Sequence, residues 1–195
     1  MAQTSTTVIA SKVHKINIGV ATDIGFLASG TEYKIYATST SLGNLAKFDV
    51  ITVSGSTSNN STFTVKSVAS NGLSIIVEEI IATEAVGDSV TIDHVGFISD
   101  KFKGDGYYSQ PDGVHTVAYK VSAGYPADTV IKMQGTLAST PTESDWDNIS
   151  GTDFTTDGTT TIKVVSFNFT GNYVYVRARA TNVTGGTIET IYLNS

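Results

Sequence analysis

The sequence predicts an all-β protein: two small β-sandwich or barrel-like domains behind a short flexible N-terminal arm. Three observations point there. Helical periodicity is nearly absent from the 195 residues, and short β-branched or aromatic runs recur at roughly ten-residue intervals. Turn signals separate those runs, among them Asn71-Gly72, Gly87-Asp88, Asp112-Gly113, Asp157-Gly158, Gly171-Asn172 and Gly185-Gly186.

Taken in order, Met1–Thr7 is polar and Thr-rich, offers little to bury, and is expected to be the arm. Strands are expected at 13–20, 33–37, 48–53, 62–68, 73–77 and 89–92, with Asn71-Gly72 closing a hairpin. Around 94–113 the rhythm breaks, because Asp100-Lys-Phe-Lys-Gly-Asp-Gly106 and Gln110-Pro-Asp-Gly113 bring Gly, Pro and charge together. That break divides the chain into domains 1–95 and 96–195. In the second domain strands are expected at 115–121, 129–137, 160–169, 173–180 and 187–193, and a short helix or turn at 143–148 after Pro141. The clearest strand is 173–180. Alternation puts Val174, Val176, Ala178 and Ala180 on the core face, with Tyr173, Tyr175, Arg177 and Arg179 facing outward.

Composition excludes several functions. A net charge of −6 without a basic run argues against nucleic acid. The absence of cysteine removes disulfides, thiol nucleophiles and thiolate metal sites. No apolar run is long enough for a membrane span, and the first residues do not read as a signal peptide. Charged residues make up only 15% of the chain, so Thr, Ser and Asn must carry solubility. Asn59, Asn60, Asn148, Asn168 and Asn182 stand in glycosylation sequons, as this composition produces by accident.

Chemistry is most tempting at ASTPTESDWDNI, where Glu143, Asp145 and Asp147 surround the single tryptophan, Trp146. A calcium loop started at Asp145 fails, because Ile149 and Ser150 occupy positions that need an oxygen ligand and a glycine. Started at Asp153, with Asp157 and Gly158 in place, it lacks the closing acid, since Val164 stands there. A depolymerase built on Asp145, Asp147 and Asp157 has no supporting motif. His14, His94 and His115 lack zinc spacing. No catalytic residue, metal or cofactor is therefore expected. Pro141 and Asp145 should instead shape a turn that Trp146 pins into the core. Tyr173, Tyr175, Arg177 and Arg179, with Tyr107 and Tyr108, form the candidate interface, since aromatic and Arg side chains dominate binding hot spots.

Two stretches carry a resemblance. The run 48–92, with Val53-x-Gly55, Asn59-Asn60, Phe63-Thr-Val65, Glu84, Gly87 and Ile92, resembles a small β module of tailed-bacteriophage virion proteins. The second, about 130–193, is similar to a module of marine and cyanobacterial phage structural proteins. It matches through Pro141, Asp145, Trp146, Gly171, Asn172, Tyr173, Val176, Arg177, Gly186, Thr187 and Ile188. The resemblance implies a non-enzymatic virion protein, assembled in the bacterial cytoplasm, working as a homo-oligomer and partnered by capsid, neck or tail proteins. Capsid decoration is the expected role. The alternative is a neck, tail or fibre position with a receptor- or glycan-binding role.

Overall fold

The computed structural model describes residues 5–15, 17–108 and 113–194. The chain is all-β and divides into two units: Lys15–Gly96 is contiguous, whereas Met1–His14 joins Phe97–Ser195. The expected division had no such return of the amino terminus. Ser5–Ile9 (β1) pairs antiparallel with the last strand, Thr187–Asn194, and Lys12–Val13 (β2) pairs with it too. Residues 5–7 therefore belong to a sheet and not to a flexible arm. The physical reason is two residues further on, where Val8 and Ile9 are buried in the larger unit and their burial fixes the strand before them. The rest of the expected arm, residues 1–4, lies outside the described residues.

The contiguous unit contains β3 (Ile18–Ala21), β4 (Ile24–Ser29), β5 (Glu32–Ala37), β6 (Asp49–Ser54), β7 (Thr62–Val68), β8 (Ser74–Val77) and most of β9 (Val90–Ile98). Its strands follow the order β9-β6-β7-β8-β5-β4, with β3 on β9. Side chains from both ends of that order, Ile24 and Phe26 of β4 and Val90 and Ile92 of β9, meet Ile35, Ile51, Phe63, Val65 and Ile75 in one core. The sheet thus wraps around its own apolar face. The β7–β8 hairpin turns at Gly72, whose φ of 68° suits glycine, and Gly72 N–H donates to the Ala69 carbonyl at 2.9 Å. The Asn59 and Glu84 of the phage-like pattern are joined directly. Asn59 Nδ2 donates to Glu84 Oε2 at 2.9 Å, while Phe26 and Glu84 exchange backbone hydrogen bonds at 2.8 Å. The Glu84 segment is thereby tied to β4 on one side and to the 56–60 loop on the other.

The larger unit adds β10 (Phe102–Lys103), β11 (His115–Val121), β12 (Val130–Thr136), β13 (Asp147–Asn148), β14 (Phe154–Thr155), β15 (Lys163–Phe169), β16 (Tyr175–Thr181) and β17 (Thr187–Asn194). One antiparallel sheet runs β1-β17-β11-β15. A second centres on β12 and β16, with β13 and β14 on β12 and β10 on β16. The inward residues Val117, Tyr119, Val121, Ile188, Ile191 and Leu193 of the first sheet meet Ile131, Met133, Val176, Ala178 and Ala180 of the second. Two antiparallel sheets closing on one apolar layer make a β-sandwich.

Candidate binding surfaces

Two of the four residues read as an outward stripe do not face solvent from the strand. β16 begins at Tyr175, so Tyr173 lies before it, and its ring packs on the core edge over Gly135. A Cβ on Gly135 would stand 2.4 Å from Tyr173 Cδ1, so this glycine makes room for the ring. Arg177 is only 3% exposed, and Tyr175 and Arg179 are half-buried.

What buries Arg177 is the ASTPTESDW segment. Its guanidinium donates to both carboxylate oxygens of Glu143, at 2.6 Å from Nη1 and 2.8 Å from Nη2. Nε donates to Gln134 Oε1 at 3.0 Å, and Gln134 in turn donates to Asn148 Oδ1 at 3.1 Å. Trp146 covers the guanidinium from 4.3 Å. Each guanidinium nitrogen therefore donates to an acceptor, as a buried charge requires. Trp146 does not enter the core as expected, because its ring is half-buried over Arg177 and Ile149 takes the core position. The expected helix is a single 3-10 turn, Glu143–Asp145, followed by β13. Asp145 Oδ2 accepts the Thr142 backbone N–H and hydroxyl, each at 2.7 Å, and these bonds hold its carboxyl below the usual range. Asp157 is lowered likewise, chiefly by Lys163 at 2.5 Å. The carboxylates of this region thus hold structure.

The other exposed aromatics do come together. Tyr107 and Tyr108, 42% and 56% exposed, sit on the 3-10 turn Asp105–Tyr108 that follows β10. Tyr107 packs edge-on to Tyr108 at 5.1 Å and lies 5.5 Å from Tyr175. Lys103, paired with Tyr175 across β10 and β16, holds its ammonium 4.0 Å over the Tyr107 ring. Lys101 lies 4.4 Å over Tyr175. The turn is held at its start. Gly106 N–H donates to the Tyr173 carbonyl at 2.9 Å, and a Cβ on Gly106 would meet the Asn172 carbonyl at 2.5 Å. Asp105 Oδ2 lies 3.2 Å from His115 Nε2 and accepts the Gly113 N–H at 2.9 Å. Of the expected turn at 110–113, only Gly113 is among the described residues. The lysines were missed in the sequence because their alternation across Phe102 gives them meaning only beside β16.

A second surface, also missed, is the outer face of the β1-β17-β11-β15 sheet. Register places Thr7, Tyr192, Ala118 and Ser166 in one row across it, with Thr190, Lys120 and Val164 in the next. Val164 and Tyr192 are exposed, at 60% and 45%. Lys120 is paired with Glu189 at 2.8 Å, leaving a face of hydroxyl, amide and apolar groups.

No family model matches the chain, and no curated protein matches it. Among solved structures, it is similar to the cleaved K1 adhesin domain of Lys-gingipain from Porphyromonas gingivalis, with a TM-score of 0.34 and 8% identity over 100% of this chain and 94% of that one.

Proposed function

We propose that the chain is a virion structural protein that decorates the outside of a phage head, seating the outer face of the β1-β17-β11-β15 sheet on the shell. The observation that carries this reading is the composition of that face. Protein interfaces are depleted of charge at their centre and enriched in tyrosine. Here Tyr192 stands among Thr7, Ala118, Thr190 and Val164, and the Lys120–Glu189 ion pair is internally neutral. The phage-like patterns around Asn59, Glu84, Trp146 and Arg177 support the same reading, since those residues frame both units. Repeated copies on a symmetric shell, as a homo-oligomer or as separate monomers, would multiply a modest contact by avidity.

The test is occupancy. Particles assembled with Tyr192→Asp or Val164→Asp should carry far fewer copies than wild type, while the purified variants keep wild-type melting curves. Cryo-EM density for the chain confined to the tail would reject the decoration role. A second reading, a neck, tail or fibre-associated protein that binds a receptor or glycan, is favoured by the exposed Tyr107 and Tyr108 and the half-buried Tyr175 beside Lys101 and Lys103.

A further inference from the structure

We propose that the Tyr107, Tyr108, Tyr175, Lys101 and Lys103 surface binds an acidic saccharide, a chain of sugar acids whose carboxylates meet the lysines while a pyranose face lies on Tyr108. This names the ligand class for the receptor-binding reading and does not depend on where in a particle the chain sits.

Charge is the first argument. The protein carries −6 overall, yet this face gathers Lys101, Lys103 and Arg179. None of these three forms an ion pair with a described carboxylate. The two other cations of the same sheet are already matched, Arg177 by Glu143 and Lys132 by Asp153 at 3.0 Å. A local positive face on an acidic protein favours an anionic ligand.

The second argument is the aromatic geometry. An ammonium over a ring face uses the ring quadrupole and leaves N–H donors pointing away for a carboxylate. Lys103 sits in this way over Tyr107, and the hydrogen bond with Tyr107 raises its pKa above the ordinary lysine value. Tyr108, edge-on to Tyr107 and the more exposed of the two, keeps an open flank for stacking. An acidic peptide would need only the charges. An apolar ring beside them, with the Lys103 ammonium 5.7 Å over it, suits a ligand with both a carboxylate and a flat C–H face.

The third is preorganisation. Saccharide contacts are individually weak, so they count only where the protein does not have to order itself on binding. The turn is held by Gly106 against Tyr173, and by Asp105 against His115 and Gly113, before any ligand arrives.

The experiment is calorimetric titration of the full chain with trigalacturonate, alongside maltotriose as a neutral sugar and a Glu-rich peptide of equal charge. Trigalacturonate should bind, weaken as salt is raised, and lose about five- to tenfold in affinity in Tyr108→Ala and in Lys103→Gln, the scale of one stacking or ionic contact. Lys34→Gln, the same charge change in the other unit, should bind as wild type. Absence of trigalacturonate binding, equal binding of the peptide, or affinity unchanged in both variants would overturn the assignment. None of these outcomes bears on the occupancy of particles by Tyr192→Asp, so the two readings fail separately.

Discussion

Removing the Glu143 carboxylate should cost the larger unit more than removing the arginine it holds. Arg177 keeps 4% of its side-chain surface in water and Glu143 keeps 31%. Glu143→Gln leaves a buried guanidinium facing a neutral amide whose NH₂ cannot accept. Breaking a fully buried pair costs about 3–5 kcal/mol, and the water still reaching Glu143 reduces this to about 2–3 kcal/mol. Arg177→Met instead removes the charge, fills much of the volume beneath Trp146 and frees Glu143 to be hydrated. The remaining loss is the charge-assisted hydrogen bond to Gln134 and the stacking on Trp146, about 1–2 kcal/mol together once Met fills the space. The double variant should resemble Arg177→Met alone, giving a coupling of about 2 kcal/mol. Guanidinium unfolding at neutral pH is the assay, followed by the emission of Trp146, the single tryptophan, which reports this unit alone, and by circular dichroism. If Glu143→Gln is no more costly than Arg177→Met, or the two effects add, the claim that Arg177 is held as a desolvated cation is wrong.

Three other outcomes are expected. Asp23 accepts the Ser39 and Thr40 backbone N–H groups and their hydroxyls, which hold its carboxyl well below the usual range, Thr40 most of all. A lowered folded pKa stabilises above the unfolded value and is lost as pH falls through it. Asp23→Asn should therefore lower the melting temperature of the contiguous unit at neutral pH, and the gap from wild type should close as pH drops below about 4, the unfolded carboxylate value. Gly135→Ala forces a methyl against Tyr173 and should cost about 1–3 kcal/mol in chemical unfolding, with partial recovery when Tyr173→Ala is added. Deleting residues 1–9 strips Val8 and Ile9 from the larger core, each worth about 1.5–3 kcal/mol when fully buried, so the melt of that unit should fall while the contiguous unit holds its own.

How much could be read beforehand differs by kind of residue. Where alternation is clean, as at His115–Val121, strand limits in the structure coincide with those expected. Ile24–Ser29 escaped because Ile24, Gly25 and Phe26 are all buried, so the strand shows no period of two. Ser5–Ile9 escaped because hydroxyl residues read as coil until their distant partner strand, Thr187–Asn194, is known. Arg177 shows the limit most clearly. Period two correctly placed it opposite Val176 and Ala178, but facing away from a core does not mean facing water when another segment folds over. The clue was present in Glu143 and Trp146, yet nothing local links them to Arg177. The tyrosine surface was legible in its residues and illegible in its assembly, since Tyr107 and Tyr175 meet only through the pairing of β10 with β16.

The pairing of β1 with β17 also sets an order of events. Ser5 lies opposite Asn194, so the larger sandwich cannot close its first sheet until the chain through Asn194 has been synthesised. The Lys15–Gly96 unit has all its strands in hand far earlier. During synthesis it can fold as a unit while Val8 and Ile9 wait beside it without their partner strand. Closing so long a loop is slow, and an unpaired strand edge is an invitation to association in the interval. The Thr and Ser residues that dominate 4–7 offer that waiting segment hydroxyls to water in the interval, which gives this polar stretch a role in assembly of the fold itself.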